Sequence, residues 1–269
     1  MLDLRLLNER HGSDFVAAGA YAGGEIGATR LVDGRGRRFV LKGQAAGLAP
    51  ATTEVLRAQG YPAPRYVLWG DGYHVQEELP GAPLQTLTTP PAQITQRLLE
   101  LNELQAGRAV DADGSWPQRV IESVLVGFSD YMVLATLETH SEDTRSLLRL
   151  CQRAVERHAG ALSTTRDIVH WDFTHHNILC ADDKVTGVLD WGGTCSGDRL
   201  FDLATIVYYT GDATPKVSEY VVDRIGTEGL SVYLAHLAIR QSAWSLRHHT
   251  ATAADHALSH SLRLARRFP

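Results

Sequence analysis

The hydrophobic rhythm of the chain changes near residue 80. Before that point apolar and polar positions alternate over short runs, the period of a half-buried strand. Ile26 to Leu31 and Arg38-Phe39-Val40-Leu41-Lys42 are two such runs, and Asp33-Gly34-Arg35-Gly36 between them predicts a β-hairpin turn. Ala51 to Gly60 reads as a helix that starts near Thr52 or Thr53 and closes on Gly60. Pro62 and Pro64 break the chain, and Arg65 to Trp69 and Tyr73 to Glu77 form further extended runs about the turn Gly70-Asp71-Gly72. A small antiparallel sheet with one helix is expected.

After Pro80-Gly81 the apolar positions recur at helical spacing, as in Ile94, Leu98, Leu101 and Leu104. A second β-rich patch interrupts the helices from Asp167 to Trp191, where Ile168-Val169-His170, Asn177-Ile178-Leu179 and Gly187-Val188-Leu189-Asp190 are apolar runs ending in polar residues. From Phe201 the helical period returns, through Leu230 to His248 and Ala251 to Arg267. The expected fold is α+β, with a sheet-rich part over residues 1–79 and a mostly helical part over residues 80–269.

Composition narrows the function. With 269 residues, 44% of them apolar, the chain can bury the core of an enzyme-sized protein. A net charge of -5 lacks the strongly basic face of a nucleic-acid binder. Cys151, Cys180 and Cys195 are odd in number and have no metal-ligand spacing, which argues against a disulfide framework and for a reducing compartment. The N-terminus lacks a basic segment leading into an apolar run, and nowhere do about 18 apolar residues run together. A cytoplasmic protein with no membrane partner is expected.

The chemistry concentrates in His170-Trp171-Asp172-Phe173-Thr174-His175-His176-Asn177, followed by Val188-Leu189-Asp190. Phosphoryl transfer needs a carboxylate at the attacking hydroxyl and oxygen ligands that hold Mg²⁺ against the β- and γ-phosphates. An Asp, an Asn five residues later and an Asp after the next strand of a hairpin supply that set. The same stretch also reads as a histidine-rich turn, or as a zinc site, though it lacks the His-x-x-x-His pair of the common zinc hydrolases. Lys42 ends a strand where it can reach the α- and β-phosphates, and Glu54 on the next helix is expected to pair with it.

The run resembles the catalytic and metal-binding segments of the aminoglycoside phosphotransferase and choline kinase superfamily, relatives of the protein kinases. His170, Asp172 and Asn177 meet the pattern His-x-Asp-x-x-x-x-Asn, and Asp190 supplies the second aspartate. The resemblance implies a protein-kinase-like bilobal fold with a small antiparallel-sheet N-lobe and a mostly helical C-lobe. It implies Asp172 as catalytic base and Asn177 and Asp190 as Mg²⁺ ligands. It further implies Gly23 and Gly24 in a nucleotide loop, and a hinge in which the Glu77 carbonyl and the Leu79 amide read adenine while Gln76 flanks the base. ATP is the expected donor, with GTP left open. Trp171 and His176 are bulkier than the small residue and the glycine common at those places in the family.

The resemblance implies a small-molecule hydroxyl as acceptor. Antibiotic inactivation, and hence resistance, is the leading expectation: a tuberactinomycin-type cyclic peptide such as capreomycin or viomycin, an aminoglycoside or a macrolide. A choline- or homoserine-like metabolite kinase and a regulatory pseudokinase are the alternatives. Glu122, Asp130, Glu138, Glu142 and Asp143 either line a groove for a cationic acceptor or form solvated helix faces. Arg224, Arg240, Arg247, Arg263, Arg266 and Arg267 make the tail basic, unlike the acidic surfaces with which aminoglycoside kinases meet polycationic sugars. Gly197-Asp198-Arg199-Leu200-Phe201-Asp202 resembles the segment after the metal aspartate, with Asp198 expected to cap a helix.

Overall fold

The computed structural model describes residues 3–21, 27–84, 92–111, 114–128 and 132–268. The chain divides into two compact units, and the first is discontinuous: Met1–Arg97 with His170–Cys195, against Leu98–Val169 with Ser196–Pro269. The boundary expected after residue 79 thus falls inside the first unit, which also takes in the segment carrying the aspartates.

In the first unit, helix α1 (Leu4–His11) precedes strands β1 (Val16–Tyr21), β2 (Ala28–Val32) and β3 (Arg38–Lys42). Helix α2 (Ala49–Arg57) and strands β4 (Tyr66–Gly70) and β5 (Tyr73–Glu77) follow. The strands form an antiparallel sheet in the order β1-β2-β3-β5-β4. Period-two alternation gives the sheet two different faces. Phe39 and Leu41 of β3 join Leu31, Tyr73 and Val75 in a core closed by Leu7 of α1 and by Phe15. Val40 and Lys42 point the other way, in register with Gln76 and His74 of β5.

The pattern gave no sign of α1, whose eight residues offer barely two turns of periodicity. Its start is nevertheless well made: Asp3 accepts hydrogen bonds from the Arg5 and Leu6 amides. Its end is anchored where His11 Nε2 lies 2.7 Å from the Tyr73 hydroxyl. The predicted hairpin turn is present, with the Asp33 carboxylate accepting from the Arg35 and Arg37 amides. Helix α2 starts earlier than Thr52, because Pro50 occupies its first turn and presets the backbone angle.

A second, three-stranded sheet completes this unit, with β6 (Ala82–Pro83), β8 (Ile178–Ala181) and β9 (Lys184–Val188) in the order β6-β8-β9. The β8–β9 turn is Asp182-Asp183, both at positive φ (47° and 56°), the twist that a two-residue hairpin loop requires. Gly81 lies at φ 116°, and a Cβ there would sit 2.9 Å from the Cys180 carbonyl oxygen. Only glycine lets the chain pass that close to β8.

The second unit is mainly helical: α4 (Trp116–Leu125), α5 (Leu134–His140), α6 (Glu142–His158), α7 (Leu200–Thr210), α8 (Pro215–His248) and α9 (Ala251–Ala265). Helix α3 (Ala92–Glu103) crosses the division between units, and Ile94, Leu98 and Leu101 are its buried stripe, as their spacing predicts. The short strands β7 (Asp167–Val169) and β10 (Cys195–Gly197) pair with each other. Helix α8 packs against α4, α6, α7 and α9 and bends at Gly226, whose φ of 70° and ψ of 173° are non-helical. Trp116, Phe201 and Tyr233 meet edge to face in its core. The Tyr233 hydroxyl there donates to Asp198 Oδ2 at 2.7 Å, while Asp198 Oδ1 accepts from the Leu200 amide at the start of α7, one residue before the cap position, which is Arg199 rather than the expected Asp198. Asp202 is fully buried and accepts from Gln105 Nε2 at 2.7 Å.

Candidate active site

The first unit carries the candidate site, and His170 pins it. The imidazole is fully buried, with Nε2 2.8 Å from the Leu189 carbonyl oxygen. A carbonyl only accepts, so Nε2 carries the proton, and Nδ1 accepts from the Asp172 amide at 3.3 Å. These bonds select the neutral Nε2–H tautomer and tie the backbone just before Asp190 to that of Asp172. Burial pushes the His170 pKa down, against the opposing pull of the Asp172 and Asp190 carboxylates.

The loop that follows is tightly wound. Trp171 adopts φ 76°, a strained conformation for a bulky side chain, and its indole lies against Gly193, where a Cβ would come within 3.0 Å of the ring. Asn177 Nδ2 donates to both the backbone oxygen and Oδ2 of Asp172, each at 2.9 Å. The Leu189 amide donates to the Asn177 carbonyl at 2.8 Å, which ties the loop to the residue before Asp190. The rings of His175 and His176 lie against each other at a tilt of 39°, with centroids 4.1 Å apart. Burial, with a smaller contribution from His176, lowers the pKa of His175 to about 4. Among the described residues, no group of three or more His, Cys, Asp or Glu is placed to hold a metal ion.

Asp190 sits in the left-handed region, φ 65° and ψ 59°. Its Oδ1 accepts from Lys42 Nζ at 3.1 Å and lies 3.5 Å from Gln44 Nε2. Burial alone would raise its pKa, but the Lys42 charge and hydrogen bond, with His170 and Gln44, hold the carboxyl below its ordinary value. Asp190 Oδ2 and Asn177 Oδ1 accept no hydrogen bond among the described residues. Two hard oxygen donors without competing partners suit Mg²⁺, which takes one or two protein oxygens and fills its other positions with phosphate and water.

Lys42, Asp172, Asn177 and Asp190 are thus brought together, but Glu54 is not. Ala49, Thr52, Thr53 and Leu56 form the buried face of α2, and Glu54 falls on the opposite side, exposed and without an ion pair to Lys42. The carboxylate partner of Lys42 is Asp190. Gln76 is buried in β5 with Oε1 unpaired. Glu77 follows it, its amide donating to the Arg65 carbonyl at 2.9 Å and its carboxylate 3.5 Å from Arg57. Leu79 packs over Gly187, and its amide makes no hydrogen bond among the described residues. Gly23, Gly24 and Asp130 lie outside the described residues. The remaining acidic candidates of the second unit, Glu122, Glu138, Glu142 and Asp143, are solvent-exposed, and Glu142 is neutralised by Arg145 and Arg149.

The sequence reading passed over Gln44 and His74, which flank the Lys42–Asp190 pair. The only signal for His74 is cross-strand register, since it stands opposite Lys42.

A lysine-bearing antiparallel sheet, joined in one unit to a His-x-Asp-x-x-x-x-Asn loop and a following aspartate, defines a protein-kinase-like small-molecule kinase with an alcohol group as acceptor. The chain belongs to the phosphotransferase enzyme family, whose model matches residues 20–236. No curated protein matches it. Its fold is that of solved kinases of low sequence identity. A thermostable mutant of aminoglycoside phosphotransferase APH(4)-Ia, in ternary complex with AMP-PNP and hygromycin B, superposes with a TM-score of 0.74 at 18% identity, covering 97% of both chains. The choline kinase LicA from Streptococcus pneumoniae gives 0.69 at 12% identity over 98% of both chains. A macrolide 2'-phosphotransferase type I gives 0.66 at 15% identity, over 95% of this chain and 94% of that one.

Proposed function

We propose that this enzyme transfers the γ-phosphoryl group of ATP directly to a hydroxyl of a small, cationic acceptor, with Asp172 as the catalytic base. The observation that carries the reading is the joining of two pairs through one buried imidazole: Lys42 with Asp190 at 3.1 Å and Asn177 with Asp172 at 2.9 Å, both adjoining His170. Asp172 orients the acceptor hydroxyl and takes its proton as the oxygen attacks the γ-phosphorus. Lys42 steadies the α- and β-phosphates. Asn177 and Asp190 would hold Mg²⁺, which neutralises charge on the β- and γ-phosphates. The Glu77 carbonyl and Leu79 amide would read the base, with Gln76 beside it.

For the acceptor we propose an antibiotic, which phosphorylation by this cytoplasmic enzyme inactivates and so confers resistance. Relatives of this fold crystallise with hygromycin B or are named for macrolides. A tuberactinomycin-type cyclic peptide stands beside those two classes. The choline kinase neighbour makes an amino alcohol the second reading. The test is mass spectrometry of the purified protein with Mg²⁺ and ATP, or GTP in parallel, against hygromycin B, other aminoglycosides, capreomycin, viomycin, macrolides, choline and homoserine. A gain of one phosphate on one class, lost in Asp172→Ala, establishes reaction and acceptor together. Phosphorylation that persists in Asp172→Ala would remove that residue from its role.

A further inference from the structure

We propose that His74 and Gln44 form a positioning clamp that holds Asp190 in the geometry needed for metal-dependent nucleotide binding. The inference rests on the reading of Asp190 as a metal ligand. With Glu54 turned to solvent, Lys42 pairs with Asp190 instead, and the orientation of that carboxylate depends on what else reaches it.

Lys42 is the last residue of β3, and the strand opposite places His74 directly beside it. Beyond Lys42 the chain leaves the sheet and loses its ladder hydrogen bonds. His74 restores one. Its ring is buried beside Tyr66, with centroids 5.0 Å apart, and its Nδ1 lies 2.9 Å from the Gln44 carbonyl oxygen. Because the carbonyl can only accept, Nδ1 carries the proton and donates it to that bond. The backbone of Gln44 is therefore fixed two residues past the end of β3.

From that fixed backbone the Gln44 side chain extends to the Asp190 turn. Its Nε2 lies 3.5 Å from Asp190 Oδ1, the oxygen that Lys42 holds at 3.1 Å. A Cβ on Gly192 would stand 3.6 Å from the same nitrogen, so the amide lies along the turn that carries the aspartate. The carboxylate can only accept, which sets the amide with its nitrogen inward. Two donors gathered on Oδ1 leave Oδ2 as the oxygen offered to a cation. Partners of this outer kind set the orientation of a ligand, and their loss typically lowers metal affinity 10- to 100-fold.

The experiment is a calorimetric titration of the full-length chain with AMP-PNP over a series of Mg²⁺ concentrations and in EDTA, on wild type, Gln44→Ala, His74→Leu, His74→Asn and Asp190→Ala. Gln44→Ala and His74→Leu are expected to raise the Mg²⁺ concentration for half-maximal affinity by about tenfold. AMP-PNP affinity in EDTA stays as in wild type. His74→Asn, whose amide can donate to the Gln44 carbonyl, recovers most of the shift. Should His74→Leu fail to fold, Gln44→Ala and His74→Asn decide the matter. An unchanged Mg²⁺ midpoint in Gln44→Ala, with the midpoint shifted in Asp190→Ala, overturns the clamp alone. An equal loss of affinity in EDTA and in Mg²⁺ reduces the pair to a structural role and also overturns it. No shift in Asp190→Ala removes the metal assignment and the clamp together.

Discussion

Asp172 and Asp190 are both loop aspartates, and their neighbours give the two carboxylates different surroundings. Asp190 faces the Lys42 ammonium, which holds its carboxyl ionised and aligned. Asp172 is steadied by the Asn177 amide, a neutral donor that orients a carboxylate without a full positive charge. Replacing Asp172 by Asn should therefore lower kcat by about 10²- to 10⁴-fold while AMP-PNP affinity and melting temperature stay as in wild type; turnover near normal would remove Asp172 as base. Asp190→Ala should instead move the Mg²⁺ midpoint of AMP-PNP binding to much higher concentration. Glu54→Ala, on an exposed helix face, should leave nucleotide affinity and kcat within about twofold, since surface changes of this kind stay near 0.5 kcal/mol. The candidate for the first expectation stood out in the His-x-Asp-x-x-x-x-Asn spacing, and that for the second in the aspartate after the hairpin that follows. The third was not, because placing Glu54 needed the buried face of α2, and two of its four buried residues, Thr52 and Thr53, are polar and mark no apolar stripe.

At the scale of elements, the β8–β9 hairpin carries the site on its two ends, with Asn177 just before β8 and Asp190 just after β9. The hairpin was readable from its apolar runs and polar ends. Its partner β6 was not, since two residues after a Pro-Gly pair carry no strand period. Thr186 of β9 donates to the Pro80 carbonyl at 2.6 Å, and Gly81 lies against the Cys180 backbone, so the Pro80-Gly81 segment is sewn to the hairpin. Gly81→Ala has to bring a Cβ within 2.9 Å of that backbone at φ 116°. It should destabilise the protein by about 1–3 kcal/mol, read as a lowered melting temperature, and a variant as stable as wild type would show that the strap is loose. Helix α1 escaped the sequence for a related reason: burial of Leu7 and the Asp3 cap sustain it, and neither needs a repeating pattern.

Taken across the molecule, buried imidazoles set the acid limit. Burial lowers the pKa of His74 and His170, and takes His175 to about 4 and His236 to about 3. An unfolded histidine binds its proton near pH 6.5, so between that value and the lowered ones the unfolded chain holds more protons than the folded one. Stability is therefore full above about pH 6.5 and falls as pH drops through the lowered values, steepening by up to roughly 1.4 kcal/mol per pH unit for each such histidine. Urea unfolding midpoints from pH 8 to pH 4.5 check this, and a flat profile below pH 6.5 would contradict it.

The discontinuity of the first unit also has a consequence for how the enzyme is made. Lys42 and Asp190 are 148 residues apart in sequence. At 5–20 residues per second, a ribosome delivers the second roughly 7 to 30 s after the first. The sheet emerges early and can settle around its own apolar face. Its polar face, with Lys42 and His74, then waits in water for the His170–Cys195 segment to be translated, long after most of the helices of residues 98–169. The Lys42–Asp190 pair is thus completed late, and a chain released before Asp190 would carry a nearly whole sheet without that partner.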